Sequence, residues 1–210
     1  MVSCNDEEII NSLQEQKNLN TTNSTAGEEE LFDSIFYEYI ESASHTDLEA
    51  KVELFVSKIN SLEEVTDFET KEQFIFWISD NLSFTSFLSV DEAITIWDEI
   101  EILMSSDFDS NIGFYEEVIS NKIRFSELLV EESLKYYTSD SSCKDDLLAC
   151  NTNATNKYTD SMEGALSDYF SEEIDGEAVK RAMEDARVAY KVAIVSCQEN
   201  YDKCIINSYD

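Results

Sequence analysis

Cys143-Lys144-Asp145-Asp146-Leu147-Leu148-Ala149-Cys150, answered near the end of the chain by Cys197-Gln198-Glu199-Asn200-Tyr201-Asp202-Lys203-Cys204, decides how this sequence is read. On a helix, residues seven apart share a face and lie about 10.5 Å apart along the axis. A disulfide tolerates a Cα separation of up to about 7 Å, so neither pair closes on itself. Each pair must reach the other helix. Of the three connectivities open to four cysteines, an antiparallel hairpin favours Cys143–Cys204 and Cys150–Cys197. The chain then reverses near 173–174, within Glu172-Glu173-Ile174-Asp175-Gly176-Glu177. There Asp175 is placed to cap the second helix and Gly176 to open the turn. Four free thiols in a reducing compartment are the other reading of this spacing. A four-cysteine zinc site would need ligand pairs two to four residues apart, and these are wider.

The second arm carries Ala182, Ala186, Ala189 and Ala193, spaced as a coiled-coil seam. In the disulfide register Ala165 faces Ala182, Ser161 faces Ala186, Tyr158 faces Ala189 and Ala154 faces Ala193. Small residues opposite small residues let two helices approach closely, as a short crosslink requires. The first arm contains Asn151-Thr152-Asn153 and Thr155-Asn156, all weak helix formers. The staples are expected to substitute for that propensity. The chain-entropy model values each at about 4 kcal/mol, without simple additivity for nested loops. This segment resembles the small twin Cys-x9-Cys helical hairpin proteins of the mitochondrial intermembrane space, with six residues between cysteines in place of nine and with longer arms.

The chain begins Met1-Val2-Ser3-Cys4-Asn5-Asp6-Glu7-Glu8. It shows no basic n-region and no apolar run of signal-peptide type. Val2-Ser3-Cys4 followed by acidic residues resembles the end of a lipobox in Bacteroidota-type lipoproteins, with the signal peptide trimmed. That resemblance implies lipidation at Cys4, an outer-membrane anchor and display at the cell surface or periplasmic face. A fifth cysteine apart from the paired four, and disulfides that need an oxidising compartment, agree with it. Residues 17–27, Lys17-Asn18-Leu19-Asn20-Thr21-Thr22-Asn23-Ser24-Thr25-Ala26-Gly27, read as a polar tether.

Between tether and hairpin the chain has helix-start signals in place of turn punctuation. It contains no proline and only 4 glycines. Ser/Thr followed three later by Glu/Gln occurs at Thr25, Thr46, Ser61, Thr70 and Ser89. Behind these signals lie stripes of helical period: Leu31, Ile35, Phe36 and Tyr39; Leu48, Val52, Phe55 and Val56; Phe74, Trp77 and Ile78; Ile96, Trp97 and Ile100; Tyr115 and Val118; Phe125, Leu128 and Leu129. The expected fold is all-α. Residues 1–27 hold the lipidation site and tether, 28–139 form a small bundle of about six helices, and 140–210 form the stapled hairpin. The most strand-like stretch, Ser83-Phe84-Thr85-Ser86-Phe87, reads as a loop.

The formal net charge is −32. Residues 1–139 carry 7 Lys/Arg against 31 Asp/Glu, and 140–210 carry 7 against 15. A field this negative excludes nucleic acid and anionic lipid surfaces as electrostatic partners and favours a basic protein. No run of about 18 apolar residues is present, so contact with a membrane is expected through the lipid anchor alone. No phosphate-cradling glycine loop, zinc-helix motif or nucleophile elbow occurs. His45, the sole histidine, reads as a surface residue beside a helix start. Asp107-Phe108-Asp109-Ser110-Asn111-Ile112-Gly113 resembles the opening of an EF-hand calcium loop, with Asp107, Asp109 and Asn111 as ligands. Its glycine falls one place late, and Val118 stands where the closing acid belongs. The resulting expectation is a non-enzymatic cell-envelope lipoprotein, without cofactor, acting through protein contacts. Its specific form is an immunity- or inhibitor-type binder of a basic partner, with Tyr169, Phe170 and Ile174 as exposed apolar groups at the hairpin tip. The alternative is a surface protein that binds calcium or a glycan, the latter stacked on Tyr136 and Tyr137.

Overall fold

The computed structural model describes residues 26–137 and 142–207, with side chains from residue 30 onward. Cys4, residues 17–25 of the expected tether and the helix start at Thr25 lie outside the described residues, whereas Ala26 and Gly27, read as the end of the tether, are already the first residues of a helix. Among these residues are eight α-helices: α1 (Ala26–Ile40), α2 (Ala43–Ser57), α3 (Lys71–Asn81), α4 (Val90–Ser110), α5 (Ile112–Ser120), α6 (Lys122–Leu134), α7 (Ser142–Phe170) and α8 (Gly176–Asn207). Two 3-10 turns, Leu62–Glu64 and Leu82–Phe84, join them. The fold is all-α, with six helices before the hairpin and two within it.

Local chemistry explains most of the helix starts. Thr70 and Gln73 form a complete capping box, and Ser89 Oγ accepts from Glu92 N at 3.1 Å. Ser61 precedes a 3-10 turn without a side-chain cap. Helix α2 starts earlier than expected. Ser42, not Thr46, is its cap and accepts from His45 N at 3.3 Å. Thr46 sits inside the first turn and donates back to Ser42 O. The stretch 83–87 holds a 3-10 turn and a single antiparallel bridge between Ile59 and Thr85. In α1 Phe32 is buried together with Phe36 and Tyr39, whereas Leu31 faces solvent.

Both disulfides join α7 to α8, Cys143 to Cys204 and Cys150 to Cys197, each with a Cα separation of 5.8 Å. Asp175 Oδ1 accepts from Ala178 N at 2.8 Å and caps α8. The reversal itself differs from expectation. Gly176 has no positive φ; the left-handed residue is Glu172, at φ 63°. Glu173 N bonds to Asp168 O and Glu172 N to Tyr169 O, the paired bonds of a Schellman cap. A glutamate there costs about 1 kcal/mol relative to glycine.

The hairpin lies along the bundle and shares its core. Phe36, Leu48, Phe55, Trp97 and Tyr115 belong to the same buried cluster as Met162, Leu166, Met183, Val188 and Val192. The tip is therefore not a free apolar end. Tyr169 packs edge-on against Phe108 at 5.6 Å, and Ile174 packs on the core, leaving Phe170 half-exposed. The alanine row is not the buried seam. Ala182 is exposed and its companions half-buried, because the larger apolar face of α8 turns toward the bundle. With Ala154, Tyr158 and Ser161 opposite, the row instead lines an open groove beside residues 66–70.

Where α8 meets α3 and α4, Glu184 is only 2% exposed. Burial, reinforced by Glu101 and Asp185, raises its carboxyl from the usual 4.5 to about 8. Burial likewise raises Asp185 to about 6, opposed by the Lys71 N–H it accepts at 2.9 Å. The folded protein thus holds the Glu184 proton long after the unfolded chain has released it. That stability is full below pH 4.5 and is lost as pH rises through 8. Glu184→Gln is expected to flatten the fall in melting temperature between pH 5 and pH 8 and to raise it at pH 8 by about 5 °C or more. Parallel melting curves of the two proteins across that range would contradict this.

Candidate functional site

A cleft of about 370 Å³ opens between α1, α2 and α6 on one side and the hairpin on the other. Its shape follows from helix periodicity. Arg187, Tyr190, Lys191, Ile194 and Gln198 recur along one face of α8. His45 and Glu49, four apart on α2, meet them. Phe36 and Tyr39 come from α1, Phe125 and Leu129 from α6, and Tyr158 from α7. Arg124 grips Asp33 with two bonds of 2.7 Å and holds α6 against α1, fixing the far wall. Tyr136 and Tyr137, just beyond α6, line the mouth. Tyr136 is 83% exposed, and Tyr137 leans edge-on against Tyr201 at 5.1 Å.

The floor is a buried polar relay. Arg187 is 7% exposed. Its Nη2 donates to Tyr39 Oη at 2.7 Å, and its Nη1 faces Glu49 Oε2 at 3.3 Å and His45 Nδ1 at 3.4 Å. Tyr39 Oη in turn donates to Asp107, which also accepts from Tyr115 Oη and from Asn111 Nδ2. Lys191 closes the other end, bonding Glu49 at 2.8 Å and Glu53 at 2.7 Å. The relay runs from the α4–α5 junction to the cleft wall and includes residues of α1, α2, α4, α5 and α8.

Its electrostatics follow from burial and pairing. Burial pushes the Tyr39 hydroxyl far above the usual tyrosine range, although Arg187 opposes it. Burial, with the Arg187 charge adding to it, lowers His45 from 6.5 to about 4, so the ring is neutral at physiological pH. Burial would raise Glu49, but Arg187 and Lys191 together outweigh it and hold the carboxylate below its ordinary value. Tyr190, stacked on Tyr158 at 4.7 Å, is pushed up to about 12 by burial. The cleft therefore presents aromatic faces, neutral hydroxyls and charges already neutralised by one another.

The residues singled out from sequence are distributed unevenly around this site. Tyr136 and Tyr137 flank its mouth. His45 is in its wall, not on a free surface, because α2 begins at Ala43 and carries it against Tyr39, 4.5 Å between ring centres. Asp107, Asp109 and Asn111 do not form a calcium loop. Helix α4 continues through Ser110, so Asp107 and Asp109 project from different sides of one helix. Asp107 is spent on the relay, Asp109 pairs with Lys180 at 2.9 Å, and Asn111 donates to Asp107 and Ser44. Among the described residues, no group of three or more His, Cys, Asp or Glu could hold a metal ion. Arg187 escaped sequence reading. Its only signal is a cation in register with Met183, Tyr190 and Ile194 on an otherwise core-facing stripe.

No family model, curated protein or solved structure matches the chain. The two disulfides point to an oxidising, non-cytosolic compartment. No helix among the described residues is long and apolar enough to cross a membrane.

Tyr39 joins Arg187 to Asp107, so its hydroxyl carries both charges' hydrogen bonds. Tyr39→Phe is expected to destabilise the fold by about 1–3 kcal/mol in urea denaturation, while Tyr136→Phe at the exposed mouth leaves the midpoint unchanged. Equal midpoints for Tyr39→Phe and the parent protein would show that the relay contributes nothing to stability.

Proposed function

We propose that this chain is a non-enzymatic protein of the cell envelope that works by binding, with the tyrosine-walled cleft as its binding site. The observation that carries the reading is the cleft itself. It combines aromatic faces with a few fixed polar groups, the composition typical of small-ligand sites, and its volume lies within their range of about 300–1,000 Å³. Its titratable groups are neutral or paired, which suits recognition better than proton transfer. Lipidation at Cys4, followed by the polar stretch 17–25, would tether the folded part to the outer membrane while leaving the cleft accessible.

Protein contact is the second reading. It is favoured by the charge of −32 and by Phe76, Phe84 and Leu88, which lie within one short stretch at 70%, 64% and 88% exposure. A basic partner of the kind an immunity or inhibitor protein neutralises would meet that acidic surface.

One experiment separates the two surfaces. Amide NMR spectra of the oxidised protein, recorded against a library of small polar ligands and against a basic protein such as lysozyme, report where contact occurs. The expected result is ligand-dependent shifts around Tyr39, His45 and Tyr190. Shifts confined to residues 76–88, or a cleft silent to every ligand, would reject the cleft as the binding site.

A further inference from the structure

We infer that the stretch from Glu72 to Asp91 is a docking surface for a basic amphipathic helix of another protein. The inference rests on the second reading above, protein contact, and is independent of the cleft. It adds the kind of element that docks.

A gap in the sequence points to it. Residues 72–121 hold 11 Asp/Glu and no Lys, Arg or His. In the fold this run begins on α3, crosses the turn Leu82–Phe84 and continues along α4. The cations at its edge are already engaged. Lys71 bonds Asp98 at 2.8 Å and lies 3.6 Å from Glu101, and Lys58 bonds Glu92 at 2.9 Å. Glu72, Asp80 and Asp91 are exposed and have no ion-pair partner among the described residues.

Apolar groups stand among these acids. Phe74, Trp77 and Ile78 turn one face of α3 into the core. Phe76 is on the opposite face, with Glu72 one turn before it and Asp80 one turn after. Phe84 and Leu88 are exposed as well. Their backbone is pinned: Thr85 bridges to Ile59, Ser86 N donates to Lys58 O at 2.7 Å, and Leu88 N donates to Glu92 Oε2. A single exposed apolar side chain, such as Ile123, is ordinary. Three presented from fixed backbone between 76 and 88 mark a contact surface.

Chemistry selects the occupant. Aromatic side chains serve as anchors at an interface, and unpaired carboxylates beside them call for Lys or Arg on the partner. A second copy of this chain would set carboxylate against carboxylate, and an anionic bilayer would do the same. Phe76 and Phe84 are separated by about 12–14 Å along the axis at helical and 3-10 rise, which matches two to three turns of a partner helix. Such a helix would lay its apolar stripe over the phenylalanines and carry its basic flanks over Glu72, Asp80 and Asp91.

NMR and calorimetric titration of the oxidised full chain tests this with four probes: a synthetic lysine–leucine peptide of helical period, a glutamate–leucine peptide of the same pattern, lysozyme, and phosphatidylcholine vesicles. The expected result is binding of the lysine peptide, with amide shifts confined to α3, residues 82–88 and the first turn of α4. Phe76→Ser and Phe84→Ser should each weaken it about tenfold at unchanged melting temperature. Ile123→Ser should leave it unchanged. Glu72→Gln combined with Asp80→Asn should weaken it about threefold at low ionic strength and have little effect at high salt. Shifts spread over the whole acidic surface and insensitive to the phenylalanine variants would show charge attraction alone and overturn the docking surface. Equal binding of the glutamate peptide, recruitment by vesicles, or the same shifts on concentrating the chain alone would overturn the basic occupant. Lysozyme moving residues 76–88 while the lysine peptide does not would overturn the helix and leave protein contact standing. A surface unmoved by every probe would overturn both.

Discussion

A guanidinium taken out of water organises this molecule. Arg187 is carried into the bundle on the inner face of α8, and a buried cation is tolerated only where charge and hydrogen bonds meet it. Tyr39, Glu49 and His45 do so, and they come from the end of α1 and the first turns of α2. An apolar helix face can slide by part of a turn and repack at modest cost. A buried charge with three directional partners cannot. The relay through Tyr39 to Asp107 extends the same constraint to the α4–α5 junction, so the seat of the hairpin and the angle between α4 and α5 are set by one polar network. Such a network is a costly way to gain stability, and its value here is geometric: it holds the hairpin where its aromatic face completes a cleft.

The two disulfides solve a different problem. Helix α7 is 29 residues long and rich in asparagine and threonine, which compete with helical hydrogen bonding. Crosslinking it to α8 restricts the unfolded chain and brings Leu166, Met162 and Tyr158 into a face that the bundle can bury. Cys143 and Cys197 are buried, whereas Cys150 faces outward. The covalent staples thus align the two arms, and Arg187 with the apolar stripe of Met183, Val188 and Val192 docks the aligned pair.

How much of this could be read beforehand depended on how local the constraint was. The cysteine spacing was decisive, because helix rise and disulfide reach leave few geometries, and both are independent of the remaining chain. The helix number before the hairpin was legible for the same reason: Thr70/Gln73 and Ser89 are self-contained caps. Errors arose where the answer lies in a third element. Ser42 and Thr46 are both plausible caps, and the chain entering from α1 decides for Ser42. The alanine row is legible as a small-residue face, but spacing does not say whether the bundle packs on that face or on its neighbour. Asp107, Asp109 and Asn111 imitate a calcium loop only while α4 is imagined to stop early. The cleft was the least legible feature, since its wall is assembled from five helices. Of its residues, only Tyr136 and Tyr137 stand out in the sequence for their chemistry, and His45, beside a helix start, reads there as a surface residue.

The central claim is that hairpin and bundle form one cooperative unit keyed by the Arg187 network, and scanning calorimetry of the oxidised chain tests it most directly. The account predicts a single transition whose calorimetric and van't Hoff enthalpies agree, because the core crosses from the bundle into α7 and α8 without a break. Two resolved transitions, with the stapled hairpin surviving after the bundle has melted, would show that the hairpin is an independent body and that the cleft between them is not a fixed feature of the fold.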